Sequence, residues 1–493
     1  MSTTHDATDP GAPTNTDSTS SSSASGPGGA GTSGIGTDGL HRRDFLKQAA
    51  AAGVGRGVAA HLQTAFGAGA PNERAVVGVM GVNSRGAYLA EVFARAEGAE
   101  VGYVCDVDRR ARRRVIEGLV QPDGGEALQE RRPEGVADVR QMLENEDLDA
   151  LVIAAPDHWH APAAMMALEA GKHVYVEKPC SHNPREGEML VEKAEANPDL
   201  VVQMGNQQRS SARSIRAVEQ IRDGIIGEPY YGRAWYANAR GPTTFEPGAA
   251  VPEWLDYELW QGPAPRQEYM GNLVHYNWHW RWHWGTAEIC NNGTHEIDVC
   301  RWALGVDRPE KVTSSGGRYH FDDGWEAFDT QSASFEFPGE KMITWEGRSC
   351  NANPLKGQGG DPGGGRGASI HGTEGTVIID RGGYVVYDND NNLIEYANEA
   401  EAGRQVSGTG TVGGGSLTEN HVANFLAGIR GEEALRAPIA DGRESVLLCH
   451  LGNIAQRTGG ALEVDPETGR IANSDEAMAL WSRDYEPGWE PSV

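Results

Sequence analysis

The sequence predicts an α/β protein with two unlike parts. An N-terminal parallel, doubly wound sheet is followed by a C-terminal α/β domain whose open sheet is largely antiparallel. Three observations predict this. Short apolar strands alternate with amphipathic helical stretches between residue 74 and about 204. A glycine-bearing turn joins the first strand to the first helix. Beyond about 225, aromatic and β-branched runs succeed one another without helices between them, as antiparallel pairing requires.

The first run, from Ala75 to Met80, is a short buried strand. It enters the turn 81–86 (Gly-Val-Asn-Ser-Arg-Gly) and then a helix over 87–95. A second strand, 101–106, ends in an acid, Asp106. Strand, glycine turn, helix, strand and acid in this order are the dinucleotide-binding fingerprint of a Rossmann domain. Gly81 permits the tight turn, and Gly86 lets helix and strand pack closely. Asn83, Ser84 and Arg85 complete the loop at the helix N-terminus, where free N–H groups attract a pyrophosphate. Asn83 replaces the middle glycine and is expected to tolerate left-handed backbone there. Asp106 is placed to accept the adenosine ribose hydroxyls and repels a 2′-phosphate, which favours NAD; Arg109 and Arg110 leave NADP open.

The alternation continues. Residues 137–143 suggest a short helix, 149–155 a buried strand, and 156–160 (Pro-Asp-His-Trp-His) a turn at its carboxyl end. A helix over 161–170 ends at Gly171, and a strand over 173–176 runs into Glu177, Lys178 and Pro179. Proline cannot donate to a sheet ladder, so the strand stops there and presents Lys178 at its carboxyl end. That edge is where ligands bind in open α/β sheets. A helix over 185–196 and a strand over 200–204 complete the domain. Strands are then expected over 229–237, 330–337, 341–346, 376–380 and 383–388, a loop over the glycine-dense 357–367, and helices over 417–429 and 445–457.

The first 39 residues are rich in Ser, Thr, Gly, Ala, Asp and Pro and are expected to be a disordered leader. Residues 40–70 carry Arg42, Arg43, Phe45, Leu46 and Lys47 before an Ala/Gly-rich stretch and resemble a twin-arginine export signal, with a cytoplasmic extension as the alternative. Export would place the protein in the periplasm or outside the cell. No stretch approaches about 18 apolar residues, so a membrane span is not expected. Acids outnumber bases by 70 to 43, giving a net charge of −27, which argues against a nucleic-acid partner. Only seven of the bases are lysine, a composition suited to solubility in high salt. The six cysteines are scattered without metal spacing and read as core thiols. Zinc ligation by His158/His160 or His279/His283 lacks a partner at metal-site spacing, so no metal is assigned.

The glycine turn with Asp106, the 156–160 segment, Glu177-Lys178-Pro179, the 205–209 segment (Gly-Asn-Gln-Gln-Arg) and the 291–298 segment around His295 occur in the order seen in the Gfo/Idh/MocA oxidoreductases, which this chain resembles over roughly 74–460. The resemblance implies a Rossmann NAD(P) domain over 74–204 and a substrate and oligomerisation domain over 205–460, with 461–493 as a C-terminal tail. It implies a sugar or polyol bound between the domains and a homo-oligomer, dimer or tetramer. Lys178 matches the lysine that touches both nicotinamide and substrate. Pro156, Asp157, His160 and Glu177 fall where the family lines its cofactor. His295 matches the histidine that exchanges a proton with the reacting hydroxyl, and Asn206, Gln207 and Asn291 fall on the substrate side. Better-known members carry an aspartate at the position of Asn291; asparagine is neither a base nor a charge that raises a histidine pKa. The proton acceptor is then His295 or Lys178.

The chemistry suits these side chains on its own terms. Alcohol oxidation needs a hydride acceptor and a base, and histidine titrates near neutrality. Lysine can hold an alkoxide as a cation or act as base where its pKa is depressed. The aromatic segment 272–284, with Trp280 and Arg281, fits a carbohydrate wall or a structural core. The functional expectation is an exported NAD(P)-dependent oxidoreductase acting on a sugar. The alternatives are a glycoside hydrolase that uses bound NAD for transient oxidation and a non-catalytic sugar-binding protein.

Overall fold

Burial on both faces explains why the first strands are apolar throughout. In the computed structural model, which describes residues 74–122, 125–353, 365–398 and 416–492, β1 (Ala75–Met80), β2 (Ala99–Cys105), β3 (Glu134–Val136), β4 (Ala150–Ile153), β5 (His173–Val176) and β6 (Val202–Met204) form one sheet in the order β3-β2-β1-β4-β5-β6. Every pairing in it is parallel. The helices α1 (Arg85–Arg95), α2 (Arg109–Val120), α3 (Val139–Leu143), α4 (Asp157–Glu169) and α5 (Pro184–Glu195) connect the strands. The order reverses between β1 and β4, and the crevice at the carboxyl ends of those strands is the binding edge of such sheets. The leader 1–39 and the twin-arginine-like segment 40–70 lie outside the described residues.

Two details differ from the expectation. The 156–160 segment is not a turn: Pro156 occupies the N-cap and α4 begins at Asp157. Proline is pre-organised for a helix start; Pro162, in the second turn, cannot donate to the His158 carbonyl, which accepts from Arg483 at 2.7 Å instead. In the turn after β1 the left-handed residue is Gly81, with φ 83°. Asn83 does not adopt a positive φ, so no left-handed tolerance is asked of it.

After α6 (Ala212–Arg222), a nine-stranded sheet is built from β7 (Pro229–Ala237), β10 (Lys311–Gly317), β11 (Thr330–Phe337), β12 (Lys341–Arg348), β13 (Arg366–Gly372), β14 (Gly375–Ile379), β15 (Gly383–Asp388), β16 (Leu393–Asn398) and β17 (Leu462–Glu463); β8 (Glu246–Pro247) and β9 (Met270–Gly271) form a small ribbon apart. The order is β16-β15-β14-β13-β7-β12-β11-β10-β17, antiparallel except for the central β7–β12 pair. Helices do intervene: α7 (Tyr257–Gln261) and α8 (Thr294–Leu304) lie between β7 and β10. α8 is buried on nearly all sides, so its apolar pattern does not alternate as a surface helix would. Of the glycine-dense stretch read as a loop, 357–364 lies outside the described residues, and Arg366 and Gly367 already belong to β13.

The C-terminal part returns to the first domain. α9 (Ser416–Ile429) inserts Val422, Phe425 and Leu426 into the Rossmann core. Phe93 of α1, Tyr175 of β5 and Phe425 meet edge to face with centroids 5.7–6.2 Å apart. α10 (Ile439–Thr458) starts six residues before the expected helix, and Val446 packs in the Rossmann core while Leu447 and Leu451 pack in that of the large sheet. Residues 461–492 are not a loose tail. β17 pairs with β10, Arg483 and Tyr485 bond Glu186, and Trp489 meets Trp159 edge to face at 5.3 Å. A fork-shaped pair, Arg209 to Asp298 at 2.8 Å on both arms, with Ser445 donating to the same carboxylate, joins the turn after β6 to α8 and α10. The motif residues Arg209 and Asp298 thus brace the domains. Five of the six cysteines are buried and none is paired.

Seven histidines whose pKa is lowered by burial are expected to make the fold acid-labile. Burial lowers the pKa of His173 and His421 to about 4 and of His279 and His450 to about 3, and holds those of His158, His182 and His295 well below the ordinary value. The folded state keeps these rings neutral while the unfolded chain protonates them near pH 6.5. Stability from this source is complete above about pH 6.5 and falls as pH drops toward the folded values, by up to about 1.4 kcal/mol per pH unit for each residue. The expected outcome is a steep fall of Tm from pH 6.5 to 5, followed by circular dichroism. A flat Tm over that interval would contradict neutral burial of these rings.

Candidate active site

Residues from both domains converge on one cleft at the β1/β4 crevice. Gly81 forms its floor: its N–H donates to Cys105 O at 2.8 Å, and a Cβ there would lie 2.6 Å from the Ala155 backbone. Gly86 does not line the cleft. It lets α1 sit on the turn, since a Cβ would come 2.2 Å from Gly81 O. Ser84 is the N-cap of α1 but makes no side-chain capping bond, so the first N–H groups of the helix stay available for an anion. Asp106 closes the nucleotide end. Its carboxylate accepts the N–H groups of Val82 and Asp108 at 2.7 and 2.8 Å, and burial pushes its pKa up. Next to it, Asp108 accepts from Arg110 and pairs with His275 at 2.9 Å, while Arg110 lies 3.5 Å over the Trp254 ring. Glycine floor, open helix end and acid fit the pyrophosphate and ribose of a dinucleotide.

The strand end after β5 holds Lys178 among fixed neighbours. Glu177 is fastened by Arg85 Nε at 2.8 Å and Gln207 Nε2 at 3.0 Å, and Arg85 also reaches Thr418 of α9 at 3.4 Å. A Cβ at Gly205 would press within 2.9 Å of the Glu177 carboxylate, so the glycine after β6 makes room for it. His160 spans the Ala155 and Pro179 carbonyls at 2.7 and 2.6 Å and ties α4 to the 177–179 turn. Asp157, at the first turn of α4, accepts from Thr286 at 2.5 Å; burial pushes its pKa up. Lys178 points across the domain boundary and donates from Nζ to the Asn291 carbonyl at 2.5 Å. Burial lowers its pKa, against the opposing pull of Glu177 and Asp157.

The opposing wall comes from α8 and the turn before it. Residues Ile289–Gly293 form a π-helical turn. Such a turn interrupts the regular ladder and is able to release a backbone carbonyl, as Asn291 O is released here toward Lys178. The Asn291 side chain donates to Glu288 at 3.3 Å. An acid therefore does stand near this position, but Glu288 is claimed by Arg240 at 2.8 Å and Ser349 at 3.0 Å. Burial alone would raise its pKa; Arg240 and these bonds outweigh that and hold it low. One turn on, His295 faces the cleft. Burial first, then the charges of Arg381, Lys178 and Arg366, keep its pKa well below the ordinary value, which favours the neutral ring.

The aromatic segment enters the cleft differently from the expectation. Asn277–Trp280 is a 3-10 helix, in which side chains repeat every three residues. Tyr276 and His279 share one side, His275 and Trp278 another, and these four line the cleft. Trp280 does not: it is 1% exposed, stacked on Trp325 at 3.9 Å, with Arg240 4.8 Å over its ring. Arg281 is paired with Glu326 at 2.8 Å outside the cleft. Asn206 is also turned inward, 1% exposed, and does not line the cleft, whereas Gln207 does. Pro156 lines it beside Asp157. Sequence reasoning offered the 272–284 segment as a wall of the site but singled out Trp280 and Arg281 within it in place of Tyr276, Trp278 and His279, and it missed Thr418 and Arg381. Only Arg381 left a local signal, a cation in the Asp-Arg-Gly-Gly turn that follows an apolar strand.

A family model described as the NAD-binding Rossmann fold of the oxidoreductase family matches residues 75–205, and its companion, the C-terminal alpha/beta domain, matches 225–354; together they cover more than half of the chain. The chain belongs to the Gfo/Idh/MocA oxidoreductase family. A curated relative from Saccharopolyspora erythraea, "Glycosyl hydrolase family 109 protein", is 31% identical over 211 residues, which is 40% of this chain and 45% of the relative. The chain thus matches somewhat under half of that protein's length. Among solved structures, the WlbA dehydrogenase from Bordetella pertussis in complex with NADH and UDP-GlcNAcA covers 80% of this chain and 99% of its own, with TM-score 0.56 and 18% identity. Levoglucosan dehydrogenase in complex with NADH and levoglucosan covers 79% and 99%, with TM-score 0.58 and 17% identity. For this Gfo/Idh/MocA chain those likenesses speak to the fold: a Rossmann domain followed by an α/β domain with a mixed, mostly antiparallel sheet. No helix among the described residues is long and apolar enough to cross a membrane.

Proposed function

We propose that this protein is an NAD-dependent oxidoreductase that oxidises a sugar hydroxyl or reduces the matching carbonyl, with Lys178 and His295 as catalytic residues. The observation that carries this reading is the meeting of the two side chains, from opposite domains, in the cleft that begins at the α1 N-terminus. Gly81, Ser84, Arg85 and Asp106 would hold the nucleotide, which when bound supplies the hydride acceptor. The chain's own residues do the rest. The neutral ring of His295 takes the hydroxyl proton, and the Lys178 ammonium stabilises the charge developing on the same oxygen. Tyr276, Trp278 and His279 offer faces and a ring nitrogen to the sugar. NAD is favoured over NADP because Asp106 stands at the ribose end and Arg110 is engaged by Asp108. Mass spectrometry of nucleotide released on denaturation, combined with a sugar panel read at NADH absorbance, tests the proposal. Absence of nucleotide together with absence of NADH formation across the panel would sink it.

A second reading is favoured by the name of the curated relative: a glycoside hydrolase that oxidises its substrate transiently on bound NAD. The same cleft serves both, since a sugar oxidised next to His295 is the common first step. Release of an aglycone without net NADH distinguishes the hydrolase. Export by the twin-arginine route is part of the proposal, supported by Arg42 and Arg43 before the Ala/Gly-rich stretch. Replacing both by lysine is expected to retain the protein in the cytoplasmic fraction; unchanged fractionation counts against export. A homo-oligomer is also proposed, supported by the exposed Tyr230 and Met342 on the large sheet, and light scattering of the purified protein reads it directly.

A further inference from the structure

The cations around the reacting residues are not equally satisfied. Arg85 is neutralised by Glu177 at 2.8 Å and Arg366 by Glu296 at 2.7 Å. Arg381, in the turn between β14 and β15, lines the same cleft and makes no ion pair or hydrogen bond among the described residues. Its charge is felt by both Lys178 and His295, so it stands at the reacting end of the cleft. The acids nearby are held by other partners: Glu177 by Arg85, Asp157 by Thr286, and Asp380 by the Gly382 and Gly383 N–H groups, while Glu296 pairs with Arg366 and attracts Arg381 without forming an ion pair with it. Arg381 is half-buried, and a guanidinium partly withdrawn from water without an ion-pair partner is costly; it persists where a ligand supplies the anion. In a protein of net charge −27, two cations, Lys178 and Arg381, face the same cleft, and neither has an ion-pair partner among the described residues.

We propose that Arg381 binds a carboxylate on the substrate, so that the sugar is an acidic one, a uronate or an aldonate, rather than its neutral parent. This rests on the sugar oxidoreductase reading and narrows it. The planar fork of arginine matches the two oxygens of a carboxylate, which orients the ring as well as holding it. Burial, and then the neighbouring Arg366, bring the Arg381 pKa down to about 9, still high enough for a full positive charge at neutral pH. A bound carboxylate would relieve that strain and leave Lys178 free for the reacting oxygen.

The test is calorimetric titration of the purified, NAD-loaded protein with glucuronate, galacturonate and gluconate against glucose and galactose, with glucose 6-phosphate as a further arm. The acids are expected to bind about tenfold to a hundredfold more tightly than the neutral sugars. In Arg381→Gln that preference is expected to collapse, and in Arg381→Lys to survive in part. Equal binding of acids and neutral sugars by the unaltered protein overturns the proposal without any variant being needed. So does tighter binding of the phosphate ester than of the acids, or loss of NAD from a folded Arg381→Gln protein, which would assign the arginine to the nucleotide. Because binding is read directly, an acid that binds selectively yet forms no NADH leaves Arg381 standing and fails only the oxidoreductase reading.

Discussion

Replacement of Lys178 by methionine is expected to lower kcat about 10²–10³-fold while NAD remains bound. Methionine fills a similar volume, so the cleft keeps its shape and loses only the charge and its three donors. The ammonium sits on a backbone carbonyl, Asn291 O, which orients it without neutralising it. A donor held in advance at the place where negative charge develops stabilises the transition state more than the ground state. Burial has already lowered the Lys178 pKa, so part of its desolvation is met on folding and not during reaction. Arginine is not expected to rescue it, since a planar fork cannot take the place of a compact ammonium. Single-turnover NADH formation measures the effect. A drop of less than about tenfold would remove Lys178 from the chemistry.

Replacement of His295 by asparagine is expected to cost about 10²–10⁴-fold in kcat through loss of the proton acceptor. The pH profile carries the more specific signature. Burial and the cations Arg381, Lys178 and Arg366 favour the neutral ring, so the base form persists below the ordinary histidine pKa. The acid limb of kcat/KM is therefore expected below pH 6.5, where a free imidazole would already be half protonated. Replacing Arg381 by glutamine removes one of those cations, and the limb should move toward higher pH. An acid limb at or above the ordinary value, unchanged in the His295 variant, would assign the proton to another group. This readout separates a proton acceptor from a merely structural histidine, which would alter Tm and leave the limb in place.

The first domain was largely legible because its signals are local. The strands of this sheet other than β3 are short apolar runs bounded by a turn residue, and Gly81, Asp106 and Pro179 mark strand ends through backbone chemistry that needs no partner; β3, Glu-Gly-Val with two exposed residues at the sheet edge, carries no such signal and was not foreseen. Lys178 could be placed at a strand's carboxyl end for the same reason. The second domain was less legible where burial is complete or contacts are distant. α8 is enclosed by sheet and helix, so its residues lack the polar stripe that reveals a surface helix. The wall of the cleft was misassigned at Trp280 and Arg281 because a tryptophan-rich run looks the same whether its rings face a ligand or one another. The 3-10 turn decided it, sending Tyr276 and His279 to the cleft and Trp280 onto Trp325.

By itself the sequence determined the parallel nucleotide-binding sheet, the order of its motifs, and a lysine at the binding edge, since strand termination and turn geometry are set by residues adjacent in the chain. Only the tertiary structure decided what Lys178 faces. Asn291 and Arg381 lie 113 and 203 residues further along the chain, and their approach depends on how the large sheet and α8 pack against the first domain. It also decided that Glu288 is spent on Arg240 and that Arg381 keeps its charge free. Whether a buried ion is matched depends on neighbours brought in by packing, and no local spacing encodes them.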